Sequence, residues 1–169
     1  MQECPKCKIQ RMLMKRAKEI TMKILIDADG CPVVDITVRI SKERHIECFI
    51  LCDTAHILEK DGATTLTFSK GADSVDFALV NRVSPGDIVI TQDYGLAAMC
   101  LSKNAAVINQ DGMEYTANNI DGLLLARYTA KKIRNSGGRL KGPRKRSAVQ
   151  DEEFYVAFTF LLDSKENSP

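Results

Sequence analysis

The chain has 169 residues, of which 44% are hydrophobic and 27% charged, and its formal net charge is +2. That length and composition fit one globular domain with a substantial core, and they exclude a disordered or fibrous chain. No stretch approaches the ~18–20 apolar residues of a membrane-spanning helix, and residues 1–21 lack the apolar run of a signal peptide. We therefore expect a cytoplasmic protein with no membrane association, whose six cysteines are free thiols.

Short apolar runs alternate with amphipathic segments from Met22 onward. The alternation predicts a three-layer α/β domain over residues 22–164, with a mostly parallel central sheet of about five strands flanked by helices. Residues 1–21 are interpreted as an extension outside the fold, and residues 165–169 as a tail. The predicted strands cover residues 23–27, 47–52, 64–68, 87–91 and 105–109. The predicted helices cover about 33–43, 73–83, 94–103, 116–134 and 147–163.

Aspartates collect where the predicted strands end, which is the edge at which open parallel sheets bind ligands. Asp27 ends the first strand, Asp29 lies in the next turn, and Asp93 directly follows the fourth strand. Asp73 and Asp76 lie three residues apart at a helix start, so they face one side of that helix. Crowded carboxylates repel one another unless cations bind, and oxygen ligands suit Mg²⁺ or Mn²⁺. These five residues therefore form the predicted metal site.

A single aspartate in these positions has a simpler structural interpretation. Asp29 and Asp73 could each cap a following helix. Asp53 and Asp111 also follow strands but lie outside the predicted cluster. Asp87 begins its strand, and at ~3.3 Å per residue the strand holds it far from the carboxyl edge. We interpret Asp87 as a turn residue.

Five motifs follow one another along the chain: DADGCPV (27–33), KGADSVD (70–76), GDIVITQDYGLA (86–97), YTANNI (115–120) and the SGG and KGP segments within 136–143. Their combination and order resemble the bacterial YaiI/YqxD family over about residues 22–163. One departure is Gly30, where the family form has Ala, and we expect it to be harmless.

The YaiI/YqxD family is similar to PIN-like nuclease domains, which carry metal-binding carboxylates at corresponding strand ends. The resemblance implies a PIN-like fold in which Asp27, Asp93 and either Asp73 or Asp76 are metal ligands. It makes Asp29 a nearby fourth acid. Together with the strand-end argument, it identifies Asp27, Asp73 and Asp93 as the expected catalytic residues.

Basic residues concentrate near the C-terminus, where no Asp or Glu occurs between Gly122 and Gln150. A loop in this stretch could neutralise the phosphates of a nucleic acid, which we expect to be RNA, although a solvated loop fits the composition equally well. The chain has no tryptophan and no aromatics interleaved with the loop, so base stacking is not indicated. The predicted nucleic-acid-binding residues are Arg139, Lys141, Arg144, Lys145 and Arg146.

The leading functional hypothesis is a nuclease that uses Mg²⁺ or Mn²⁺ and acts on RNA. A second hypothesis is a phosphatase of the haloacid-dehalogenase type, with Asp27 as nucleophile and Asp29 as general acid. Against it, Cys31 replaces the usual Thr of that family's first motif. Gly86-Asp87 could stand for the last motif, but it lies at the start of the strand DIVIT, whereas the acidic pair of that family follows a strand. A third hypothesis is a non-catalytic protein that binds RNA or a partner through loop 139–146.

Two further residues are weaker candidates. Cys31 lies at a predicted helix start, where the pKa of a thiol can fall, but a nucleophile would need a nearby base. His56 follows the strand that ends at Cys52 and could lie near the site, although a loop position is the simpler expectation. The sequence leaves the oligomeric state open.

Overall fold

The computed structural model describes residues 22–69, 74–137 and 145–166. Asp73, Arg139, Lys141 and Arg144, with the extension 1–21, lie outside the described residues. Six strands cover Lys23–Asp27 (β1), Glu47–Asp53 (β2), Thr64–Phe68 (β3), Ile88–Ile90 (β4), Ala106–Ile108 (β5) and Glu114–Tyr115 (β6). Five helices cover Val34–Glu43 (α1), Ser74–Arg82 (α2), Tyr94–Ser102 (α3), Ile120–Asn135 (α4) and Ala148–Glu166 (α5).

The strands form one sheet in the order β3-β2-β1-β4-β5-β6, and all pairs are parallel except β5 with β6. The chain builds outward from β1 to β3 and then crosses back to the other side of β1 with β4. The strand order therefore reverses between β1 and β4, which is where open α/β sheets form their ligand crevice. Because Ile26 pairs with Ile90, the residues that follow β1 and β4 emerge side by side at this point.

Helices cover both faces of the sheet, which confirms the expected three-layer α/β architecture. On one face, Ile24, Ile26 and Ile50 pack with residues of α1 and α5, including Phe154 and Phe158. These two rings stack with their centroids 5.4 Å apart. On the other face, apolar residues of the same strands pack with residues of α2, α3 and the start of α4. Strands buried on both faces explain the continuous apolar runs in the sequence.

Most predicted elements are present, with small differences at their ends. β1 and β3 have the predicted bounds, whereas the short antiparallel strand β6 was not predicted. The longest predicted helix begins at Ile120 instead of residue 116, because Asn119 holds the preceding turn through hydrogen bonds with Thr116 N and Glu114 O. α5 continues to Glu166, into the segment expected to be a tail. In the described ranges, no helix is both long and apolar enough to cross a membrane.

Asp87 lies at the amino end of β4, away from the carboxyl edge, as its position in the sequence indicated. Its side chain is fully buried, which the sequence did not predict. It accepts hydrogen bonds from Lys23 N at 3.0 Å and Ser84 N at 2.8 Å, and Lys23 Nζ is 3.6 Å away. Asp87 therefore ties the start of β1 to the turn before β4 and has a structural role.

Candidate functional site

Thr91 links the two strand-end aspartates at the point where the strand order reverses. Its hydroxyl donates to Asp27 Oδ2 at 2.7 Å and accepts from Asp93 N at 3.0 Å. Thr91 is buried because it directly follows β4, and it therefore fixes the Asp27 carboxylate against the start of α3. The sequence placed Asp27 and Asp93 at one edge, but it did not identify Thr91 as the residue between them.

The Asp27 carboxyl group is half-buried and electrostatically strained when ionised. Burial raises its pKa, and the hydrogen bond from Thr91 offsets part of that effect, while the negative charges of Asp76 and Asp29 raise the pKa further, to about 6. Asp76 lies in the first turn of α2 and is itself half-buried. The negative charges of Asp29 and Asp76 thus both act on the Asp27 carboxyl group.

Asp93 is a helix cap and an ion-pair partner at the same time. Its Oδ1 atom accepts from Gly95 N at 2.7 Å and Leu96 N at 3.1 Å, and its Oδ2 atom lies 2.8 Å from Arg127 Nη1. Burial acts to raise the pKa of Asp93, but Arg127 and the two N–H groups outweigh it, so the pKa lies below its ordinary value. Asp93 is therefore ionised, and both of its carboxylate oxygens already have partners.

Arg127 is the site residue that sequence reasoning missed. It comes from α4, 34 residues after Asp93, and its guanidinium also lies 5.8 Å from the centre of the Tyr94 ring. The only sequence signal was its position in the acid-free basic stretch. A guanidinium is suited to bidentate contact with phosphate, so Arg127 places a phosphate-binding group beside the carboxylates.

Asp29 is exposed at the rim of the site and does not cap α1. The N-cap residue of α1 is Val33, without a side-chain hydrogen bond. His56 Nδ1 lies 3.8 Å from Asp29 Oδ1 and 3.1 Å from Asp53 Oδ1. The histidine therefore does lie beside the site, and it joins the turn after β2 to the turn after β1.

The donor set of the site consists of carboxylate oxygens, which suit a hard cation such as Mg²⁺ or Mn²⁺. Across residues 22–69, 74–137 and 145–166, no group of three or more His, Cys, Asp or Glu side chains is arranged to hold a metal ion. Asp73 lies outside these ranges. Mg²⁺ is commonly held by one or two protein carboxylates, with water and substrate phosphates completing its shell. Asp27 and Asp76 fit that limited role.

Arg146 binds protein groups and is not an open phosphate ligand. Its guanidinium reaches Asp151 at 2.7 Å and Asp111 at 3.0 Å, and it donates to the Gln110 and Gln150 carbonyl oxygens. These contacts fasten the start of α5 to the turn between β5 and β6. Lys145, the other described residue of the predicted loop, is exposed.

Cys31 does not have the properties of a nucleophile. Burial raises its pKa to about 11, which is opposite to the lowered pKa that a helix start could have produced. The group is therefore a protonated thiol at neutral pH.

Comparisons with known proteins agree with the motif resemblance. The model of the uncharacterised YaiI/YqxD family matches residues 25–164. A UPF0178 protein of Exiguobacterium sibiricum is 54% identical over 144 residues, which cover 85% of this chain and 99% of the relative. UPF0178 proteins of Clostridium acetobutylicum and Ruminiclostridium cellulolyticum are 48% and 46% identical, covering 83% and 88% of this chain and 97% of each relative. No solved structure matches the chain.

Proposed function

This chain belongs to the bacterial YaiI/YqxD family, and we propose from the site itself that it is a cytoplasmic, divalent-metal-dependent nuclease acting on RNA. The observation that carries the proposal is the setting of Asp27 at the reversal of strand order. Its carboxyl group is within electrostatic reach of Asp76 and is linked through Thr91 to Asp93, which pairs with Arg127. An acidic pair next to a guanidinium suits a phosphodiester substrate, because the acids hold a cation and the guanidinium holds a phosphate.

A bound Mg²⁺ or Mn²⁺ ion would polarise phosphoryl oxygens and supply an activated water. Asp27 and Asp76 would hold it, with Asp73 as the further ligand that the likeness to PIN-like nucleases implies. Thr91 keeps Asp27 Oδ2 in place, so that the carboxylate is oriented before the ion arrives. The ion would also relieve the repulsion that raises the pKa of Asp27.

Asp93 and Arg127 would work as a pair at the other side of the crevice. Capping of α3 fixes the Asp93 carboxylate, and that carboxylate in turn positions the Arg127 guanidinium at 2.8 Å. One carboxylate oxygen accepts from only part of the N–H groups of a guanidinium, so Arg127 retains donors for a phosphate oxygen. Asp29 and His56 at the rim would contact water or substrate around the ion.

The test is cleavage of a labelled single-stranded RNA with Mn²⁺ or Mg²⁺, by the wild type and by Asp27→Asn and Asp93→Asn. We expect each variant to lose at least about a hundredfold in rate, as expected when a group that stabilises developing charge is removed. Asp53→Asn is the matched control, since Asp53 also ends a strand but its Oδ1 atom bonds locally to Ala55 N and His56. It should cut at a rate near that of the wild type.

Two results would contradict the proposal. Equal cleavage by the wild type and Asp27→Asn would mean that the carboxylates are not used. Absence of metal-dependent cleavage by a folded wild type would rule out the nuclease and favour RNA or partner binding. A phosphoryl group trapped on Asp27 would instead support the haloacid-dehalogenase type of phosphatase.

A further inference from the structure

The second half of helix α4 extends beyond the body of the domain. Ile120 at its start is buried, and Leu123 and Leu124 are half-buried against the core. From Leu125 to Asn135 every side chain is exposed except that of Ala130. A helix whose last turns have so little packing exposes several faces to a partner.

Three cations follow one another on a single face of this exposed segment. Arg127, Lys131 and Arg134 are spaced at i, i+4 and i+7, which places them on one side of an α-helix. Because Arg127 contacts Asp93, the series begins at the candidate site. At 1.5 Å per residue, Lys131 lies about 6 Å and Arg134 about 10 Å farther along the helix axis. We call these three residues the basic row.

The positive charge of the basic row is only partly compensated. No Asp or Glu occurs between Gly122 and Gln150, and among the described residues no carboxylate forms an ion pair with Lys131 or Arg134. By contrast, Lys42 pairs with Asp61 and Lys60 with Asp35. Lys131 and Arg134, which have no carboxylate partner in the described part of the chain, thus continue from Arg127 away from the site. Such an arrangement of cations is expected for a polyanionic ligand.

We propose that the basic row binds the phosphate backbone of a single-stranded RNA that runs along α4 away from the Asp27–Asp93 crevice. This rests on the proposed function and adds the path of the substrate. Contacts of this kind are electrostatic and independent of base sequence. The row also supplies what the loop residue Arg146 does not, since Arg146 is bound to Asp111 and Asp151.

The experiment is a titration of a fluorescently labelled single-stranded RNA, followed by anisotropy, in EDTA so that metal-dependent cleavage does not interfere. The variants are Lys131→Ala and the double variant Lys131→Ala/Arg134→Ala. The matched control is Lys132→Ala, since Lys132 is the neighbouring exposed lysine of the same helix but lies about 100° around it, away from the row. Thermal unfolding checks that all variants are folded.

We expect the double variant to bind roughly tenfold or more weakly near 0.1 M salt, with the slope of log affinity against log salt smaller by about 0.7 for each contact removed. Lys131→Ala should weaken binding severalfold, and Lys132→Ala should leave it unchanged. Equal weakening by Lys131→Ala and Lys132→Ala would overturn the proposal, because only net charge would then matter.

Failure of this inference differs from failure of the proposed function. If the wild type cuts RNA and the double variant binds and cuts as well as the wild type, the proposed RNA binding by the basic row is wrong and the proposed nuclease activity is supported. If the wild type binds RNA through the basic row but does not cut it, the proposed nuclease activity is wrong and the proposed RNA binding is supported. A third outcome is a dimer in sedimentation that Tyr128→Ser dissociates, with RNA binding unchanged by Lys131→Ala and by Lys132→Ala. In that case α4 is instead a contact between copies of the chain.

Discussion

Replacement of Asp27 by Asn should stabilise the protein above pH 6 while it removes the proposed activity. The pKa of Asp27 is about 6 in the folded protein, against an ordinary value of 3.8. One pKa unit corresponds to about 1.4 kcal/mol, so the ionised carboxylate opposes folding by up to about 3 kcal/mol. Stabilisation on removal of a functional charge is the expected trade between stability and activity.

The sign of the effect follows from proton linkage. Because the folded pKa is higher than the unfolded one, the folded state holds the extra proton between pH 3.8 and about 6. The stability linked to Asp27 is therefore complete below pH 3.8 and is lost as the pH rises through 6. An asparagine avoids this loss, and its side-chain oxygen still accepts the hydrogen bond from Thr91.

The assay is urea unfolding of the wild type and of Asp27→Asn at pH 4 and pH 8, without divalent cations. We expect the free energy of unfolding of the variant to exceed that of the wild type by about 1–3 kcal/mol at pH 8. The two should differ by no more than about 0.6 kcal/mol at pH 4, where the Asp27 carboxyl group of the folded protein is protonated. Asp53→Asn is again the control, and it should not gain stability at pH 8, because the pKa of Asp53 is lowered in the folded protein.

The reasoning would be refuted by a variant that is no more stable than the wild type at pH 8. It would also be refuted by a stabilisation of the same size at both pH values, because the gain would then come from packing and not from charge. Either result would mean that burial and the neighbouring carboxylates do not raise the pKa of Asp27 as the structure indicates.

Three further predictions concern the structure around the site. Asp87→Ala should lower the free energy of unfolding by about 3 kcal/mol in urea, since it leaves two backbone N–H groups without their acceptor and removes the ion-pair partner of Lys23. Gly112→Ala should lower the free energy of unfolding by about 2–4 kcal/mol in the same assay, because φ is +83° and the added Cβ would meet a methyl carbon of α5 at 2.8 Å. Gly30→Ala should lower it by only about 1 kcal/mol, because φ is +67° but the added Cβ would have no neighbour within 4 Å. The Cys31 thiol, whose pKa burial raises to about 11, should react with iodoacetamide at pH 8 far more slowly in the folded than in the urea-unfolded chain, as followed by peptide mass spectrometry; equal rates would contradict its burial.

Local pattern was sufficient for most of the fold. The run KILID is apolar and ends at a carboxylate, and β1 has those bounds. Alternation of such runs with helical segments predicted the parallel sheet, because parallel strands need crossover connections. The strand β6 was not predicted, because two residues paired antiparallel to an edge strand carry no periodic pattern. The start of α4 was predicted too early, because it depends on which groups the Asn119 side chain contacts.

The positions of the candidate aspartates in the fold could be predicted from the sequence, but the shifts of their pKa values could not. The rule that ligands bind beyond the carboxyl ends of parallel strands is topological, so it placed Asp27 and Asp93 together without any knowledge of side chains. Whether a carboxylate is strained or compensated depends on groups distant in sequence. Asp27 is strained by burial and by Asp76, whereas Asp93 is compensated by Arg127.

Because of this difference between the two aspartates, negative charge is distributed unevenly across the crevice. A cation gains most beside Asp27, whose negative charge lacks compensation, and gains less beside Asp93, whose charge Arg127 already neutralises. A phosphate, in contrast, is favoured beside Arg127 and disfavoured beside Asp27. In the proposed function, the cation and the phosphate would therefore bind on opposite sides of the same reversal point. The chain of a substrate that enters at Arg127 would then meet Lys131 and Arg134 along α4. The proposed order of metal, scissile phosphate and flanking phosphates can be tested residue by residue.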